Sequence, residues 1–307
     1  MKQAIKWLLD SGDPDEYKEI AALAKTKGEQ LWGSTTNPSL IAKKLAGKKV
    51  TQKEAFALQK DLVMQIVDLV PGAVSSEVYA DEKTTSDEMI EQGREIATWH
   101  KRVVVKLPTT FEAFKARTAL RKEKIMVNNT LVFSQQQIFA ICLHEQIMQK
   151  EFGPINDLFP PFISPFVGRL DDIGQNGMQL VEHGMQIKKL FSTTLPQSSL
   201  AIWMLEASTR NAGHITQGIA TRTELLTAPA SLYKTWFSLT PVEQGTYPKI
   251  PDKLETIPYW NPPQELFKID TIDTYMNALK TGKLAIMHPL TDKGLIRFAQ
   301  DWKAIIN

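Results

Sequence analysis

Val103-Val104-Val105-Lys106-Leu107-Pro108 is a run of β-branched and apolar residues closed by proline, and its lysine stands near the end. Such a run reads as a buried strand. Working outward, comparable short runs recur at Ile5 to Leu9, Leu31 to Thr35, Ala73 to Val78, Ile125 to Val132, Phe162 to Val167, Leu200 to Leu205 and Glu224 to Ala228. Longer amphipathic stretches separate them. Helix starts are visible at Asp13, Asn37-Pro38, Thr84 to Asp87 and Ser134. This alternation is that of βα units on a parallel sheet, and eight strands predict an α/β fold, the (β/α)8 TIM barrel.

The rhythm breaks after Tyr233. Thr240 to Pro263 is rich in proline and predicts an irregular excursion across the surface, followed by helices near Thr271 to Lys280 and Thr291 to Ile305. The expected division is a barrel over residues 1–239 and a C-terminal helical extension over 240–307 packing on it.

Bulk properties narrow the class. Of 307 residues, 43% are hydrophobic and 23% charged, which suits a folded globular chain. The net charge of +2 is spread along the sequence, so no nucleic-acid footprint stands out. No segment approaches the roughly 20 apolar residues that span a membrane, and the N-terminal apolar stretch is too short for a signal segment. A cytoplasmic protein is expected. The single cysteine, Cys142, lies in an apolar run and reads as a core thiol. The five histidines show no metal-ligand spacing, and no glycine-rich nucleotide loop occurs, so neither metal nor cofactor is expected. The sequence leaves the oligomeric state open, a homo-oligomer included.

In a barrel, polar residues at the C-terminal ends of strands are those that build a site. On its own stretch, Lys106 reads readily as a strand-end side chain snorkelling to solvent, or as an amine placed to attack a carbonyl. Asp10 and Glu77 end the first and third strands and would point to the same mouth. Asp10 is equally good as a helix cap. Thr35, Asn37, Asn128 and Thr130 are uncharged hydrogen-bonding groups at that end, and Ser164 follows on the sixth strand. The first four together favour a polyhydroxylated ligand. Arg169, beyond the sixth strand, and Ser208 and Arg210, beyond the seventh, could hold a phosphate.

Several blocks together resemble the transaldolase family. They are Gly33-Ser34-Thr35-Thr36-Asn37-Pro38-Ser39-Leu40-Ile41, Val74 to Val78, Val104 to Pro108, Asn128 to Ser134, Ile163 to Arg169 and Ala207 to Asn211, in the family order. Phe298 to Trp302 resembles the C-terminal helix of its shorter members. The resemblance implies a metal-free class I mechanism acting on sugar phosphates in the pentose phosphate pathway. Lys106 matches the Schiff-base lysine, Asp10 the acid/base at the sugar C4 hydroxyl, and Glu77 with Thr130 the pair holding a catalytic water. Thr35, Asn37, Asn128 and Ser164 match residues that bind hydroxyls or orient the lysine, and Arg169, Ser208 and Arg210 match the phosphate site. Fructose 6-phosphate aldolases of the same family tend to carry glutamine and tyrosine at the positions of Glu77 and Phe166, so both residues here resemble transaldolase. Two departures stand out: Tyr79 replaces the aspartate of an EVDA-like block, and Pro108-Thr109-Thr110 resembles the shorter, aldolase-like branch. Thr240 to His288 has no counterpart in the family pattern and would either cover the barrel mouth or lie on a surface or subunit interface. The alternatives are a fructose 6-phosphate aldolase-like enzyme releasing free dihydroxyacetone, an aldolase or transaldolase specialised for an unusual phosphosugar or related acid, and a non-catalytic barrel used for binding or assembly.

Overall fold

The computed structural model describes residues 5–47, 49–155, 158–194, 200–246 and 253–306. Eight parallel strands close into a barrel in sequence order. They are β1 (Lys6–Asp10), β2 (Leu31–Thr35), β3 (Val74–Glu77), β4 (Val103–Pro108), β5 (Val127–Val132), β6 (Phe162–Pro165), β7 (Trp203–Glu206) and β8 (Leu225–Ala228). Each expected run carries one strand. Around them lie α1 (Pro14–Thr26), α2 (Pro38–Lys44), α3 (Gln52–Leu69), α4 (Ser86–Trp99), α5 (Phe111–Lys122), α6 (Gln135–Phe152), α7 (Val167–Asp171), α8 (Gly177–Thr194), α9 (Ala212–Thr221) and α10 (Ala230–Ser238). Asp13, Asn37, Thr85 and Ser134 cap α1, α2, α4 and α6. Because Asp13 is the cap of α1, Asp10 is free of that duty.

The two faces of each strand go to different cores. On β4, Val105 and Leu107 join the large cluster between barrel and helices, whereas Val104 joins Leu8, Phe162, Leu205 and Leu225 in a second cluster inside the barrel. Lys106 shares the phase of Val104 and therefore points inward, one step nearer the C-terminal mouth. The same phase on the neighbouring strands holds Asp10, Thr35, Glu77, Asn128, Ser164 and Thr227. An apolar plug thus closes the barrel below, and polar residues fill it above.

Beyond α10 the chain forms α11 (Pro241–Thr246), a short helix within the stretch expected to be irregular. Thr240 and Glu243 form a capping pair there, a local signal that the surrounding prolines obscure. Pro248 and Pro251 of that stretch lie outside the described residues. The chain then straps across the outside of α6 and α8. Ile257 N donates to Gln179 Oε1 (2.6 Å), and Gln135 bonds both Pro258 O and Trp260 N (2.8 Å each). Phe267 packs edge-on against Phe139, at 5.1 Å between ring centres. In α12 (Ile272–Lys280), Tyr275 Oη donates to Ala140 O. Covered on both sides, α6 is buried on every face, which explains its uninterrupted apolar run around Cys142.

The strap therefore lies on the helical layer. The element that reaches the barrel mouth is the last helix, α13 (Pro289–Lys303). Ser39 bonds Asp301, Thr291 Oγ1 donates to Leu131 O (2.9 Å), and Gly294 lies so close to Leu131 and Arg169 that a Cβ there would be 2.6 and 2.7 Å from their side chains. Among the described residues, no helix is long and apolar enough to cross a membrane.

Candidate active site

A cavity of about 340 Å³ opens at the C-terminal mouth. Lys106 is on its floor, Asp10, Thr35, Asn37 and Ser164 are on its inner wall, and Phe166, Arg169, Ser208 and Arg210 are on its outer wall. Three further residues singled out by sequence, Glu77, Asn128 and Thr130, are buried behind that lining.

Lys106 Nζ donates to Thr36 O at 3.1 Å and lies 3.1 Å from Glu77 Oε2, with 3% and 4% of the two side chains exposed. Strand register sets this pair, because Glu77 is the direct β3 partner of Lys106 and Asn128 its β5 partner. The snorkelling alternative is excluded: the amine is turned inward and held. Burial pushes the Glu77 carboxyl above its ordinary range, partly opposed by Lys106 and Arg169. Glu77 Oε2 faces the amine as its ion-pair partner, and Thr130 Oγ1 is buried with no hydrogen-bond partner among the described residues. A buried hydroxyl in that position is ready to bond a small polar molecule.

Asn128 is locked from both sides. Ser164 Oγ donates to its Oδ1 (2.6 Å), and its Nδ2 donates to Ser75 Oγ (3.1 Å). Asn37 caps α2 through Leu40 N (3.0 Å) while its side chain still lines the cavity. Asp10 is half-buried and accepts from Thr35 Oγ1 at 2.7 Å. Desolvation raises its pKa, and Lys106, the Thr35 hydroxyl and Arg169 pull the other way.

The outer wall is cationic. The Arg169 guanidinium lies between the Phe166 and Phe298 rings, 5.2 and 5.1 Å from their centres. Arg210 pairs with Asp172 at 3.1 Å, and Arg297 reaches in from α13 with Asp301 at 3.8 Å. Three guanidiniums on one wall repel one another, and Arg297 and Arg210 both help depress the Arg169 pKa after burial itself. Two backbones at or near the site are also strained into the left-handed region: Ser208 (φ 59°) in the lining, and Leu131 (φ 57°), outside the lining, at the β5 irregularity beneath α13.

Sequence reading missed Ser39, Thr209, Thr227, Pro229, Arg297 and Phe298 in the lining, and Ser75 behind it. The signal for Arg297 and Phe298 was available in the apolar pattern of the last helix, but only the crossing of α13 over the mouth assigns them. The histidines take other places. His144 is buried against Thr118, His214 bonds Asp171, and His288 stacks on Phe133.

The family model described as transaldolase/fructose-6-phosphate aldolase matches residues 7–307. Probable transaldolases of Brevibacillus brevis and Thermoplasma volcanium are each 30% identical to the chain over 98% of its length, covering 99% and 96% of their own. A probable transaldolase of Thermus thermophilus is 30% identical, with 97% of each chain covered.

Proposed function

This chain belongs to the transaldolase/fructose-6-phosphate aldolase family, and from that membership we propose that it transfers a dihydroxyacetone unit from a ketose phosphate to an aldose phosphate through a Schiff base on Lys106. The observation that carries the reading is the buried Lys106–Glu77 pair at the floor of a cavity whose outer wall holds Arg169, Arg210 and Arg297. An amine nucleophile at one end and cations at the other suit a ketose that carries its phosphate far from its carbonyl.

In this reading Lys106 Nζ attacks the ketose C2 carbonyl to give a carbinolamine. Glu77, acting through a water that it shares with Thr130, delivers the proton with which the C2 hydroxyl leaves as water. Its raised pKa suits a group that must both give and take a proton. Asp10 next removes the proton of the C4 hydroxyl, the C3–C4 bond breaks, and its electron pair moves into the imine to form an enamine. The aldose phosphate departs. An acceptor aldehyde is then attacked by the enamine, Asp10 returns its proton, and hydrolysis frees Lys106. Ser164, Asn128 and Ser75 form a rigid strip that holds the groups around the lysine, while Thr35 and Asn37 meet substrate hydroxyls. Arg169, Ser208, Arg210 and Arg297 take the phosphate by charge-assisted hydrogen bonds. The donors expected are sedoheptulose 7-phosphate and fructose 6-phosphate, as in the pentose phosphate pathway.

The deciding experiment is borohydride reduction in the presence of fructose 6-phosphate, followed by peptide mapping. Label on Lys106 that disappears in Lys106→Ala supports the mechanism. Label elsewhere, or label that survives the substitution, overturns it. Measuring free dihydroxyacetone with and without an aldose phosphate acceptor separates transfer from simple aldol cleavage.

A further inference from the structure

Asp10, Thr35 and Thr227 come from three strands that are consecutive around the barrel, β1, β2 and β8, and their oxygens form a chain. Thr35 Oγ1 is 2.7 Å from Asp10 Oδ1 and also 2.7 Å from Thr227 Oγ1. Both threonines are 2% exposed, so bulk water does not compete for these bonds.

A hydroxyl carries one hydrogen, and an ionised carboxylate can only accept. With Asp10 ionised, the Thr35 hydrogen goes to Asp10, and the hydrogen between the two threonines must come from Thr227. The chain then has a single polarity, Thr227 to Thr35 to Asp10. Were Thr227 unable to donate, Thr35 would keep its hydrogen but lose the donor that polarises it, and successive hydrogen bonds strengthen one another.

We infer that Thr227 is a positioning residue for the acid/base step: by donating to Thr35 it commits the Thr35 hydroxyl to Asp10 and fixes the orientation of that carboxylate toward the substrate. The inference rests on the role given to Asp10 above. The sequence offers no hint of it, because a threonine in a strand is ordinary.

Other charges act on Asp10 as well. Lys106 from β4 and Arg169 from α7 favour its ionised form, and Glu77 from β3 opposes it; the phenols of Tyr17 on α1 and Tyr233 on α10 are coupled to it too. Burial opposes ionisation most strongly, so the Thr35 bond is one of few local supports.

The test compares Thr227→Val, which keeps shape and removes the donor, with Thr227→Ser, which restores it. Borohydride trapping with dihydroxyacetone reads imine formation on Lys106, a step that needs no C3–C4 cleavage. The pH profile of kcat for ketose phosphate cleavage reads Asp10. In Thr227→Val, trapping stays at the wild-type rate while the acid limb of kcat moves up by about 0.3 to 1 pH unit. Thr227→Ser returns the limb to its wild-type position. The inference is overturned if the valine profile superimposes on wild type, or if valine and serine variants change alike. Failure of wild-type trapping would instead remove the Schiff-base reading beneath it.

Discussion

Lys106 Nζ and Glu77 Oε2 face each other at 3.1 Å with almost no solvent around either group. A pair this deep is held by mutual compensation, because removing one charge strands the other. Glu77→Gln keeps the shape, removes the charge and removes the proton carrier. We expect kcat to fall by about 10²- to 10⁴-fold, the usual worth of a general acid/base. Single-turnover borohydride trapping should place the loss in imine formation. Unchanged trapping kinetics would remove Glu77 from the proton path.

In the proposed mechanism, Phe166 is the residue that would set the fate of the enamine. Its ring centre is 5.9 Å from Lys106 Nζ, and the ring offers no proton. In Phe166→Tyr a hydroxyl enters the pocket near the bound three-carbon unit and can protonate it before an acceptor arrives. Free dihydroxyacetone release should rise about tenfold relative to transfer, measured on one enzyme preparation with and without acceptor. An unchanged ratio would show that the ring does not face the enamine.

Arg297 extends the cationic wall of the cavity from the last helix. It is 71% exposed and has only a loose partner in Asp301, so solvent screens it. Arg297→Gln should raise KM for a phosphorylated ketose about three- to fivefold and leave imine trapping with unphosphorylated dihydroxyacetone unchanged. Equal effects on both substrates would argue against a phosphate contact.

Gly294 measures how firmly α13 is seated. A Cβ there would meet Leu131 Cδ2 at 2.6 Å and Arg169 Nη1 at 2.7 Å. Gly294→Ala must push the helix off the mouth or turn Arg169 out of its place between Phe166 and Phe298. A loss of about 1 to 3 kcal/mol in stability is expected from such overpacking, with a rise in KM for phosphorylated substrate. Denaturant unfolding and steady-state kinetics check the two effects separately.

The barrel and the inward set around Lys106 were legible because each strand is a short apolar run and alternation decides which side chains share a face. Lys106 and Val104 are two residues apart, so finding one inside finds the other. What stayed hidden depends on pairs far apart in sequence. Gln135 holds Pro258 O across 123 positions, and this contact lays the strap on α6 rather than over the mouth. Thr227 reaches Thr35 across 192 positions, and nothing local to either predicts the bond. A shift of one residue in phase also matters. Glu77 closes β3 facing inward, whereas Glu206 closes β7 facing outward, where Gly218 of α9 lies against it.

That orientation gives Glu206 a thermodynamic signature distinct from the site carboxylates. The side chain is fully buried and, among the described residues, its Oε1 has only a 3.4 Å contact from Thr209 Oγ1 and its Oε2 has no hydrogen-bond partner. Burial raises its pKa well above 4.5, with little to oppose it. The folded chain therefore keeps a proton that the unfolded chain releases above about pH 4.5. Between the unfolded and folded titration points the native state binds more protons, so stability falls as pH rises. Glu206→Gln has no proton to lose and escapes this fall. The stability difference between variant and wild type should be smallest near pH 4.5 and grow in favour of glutamine toward pH 8, by at most about 1.4 kcal/mol per pH unit. Denaturant midpoints at several pH values give the slope directly. Comparison at each pH cancels the contributions of Asp10 and Glu77, which titrate in both proteins. A difference that is flat across this range would mean that Glu206 ionises in the fold as it does in the unfolded chain.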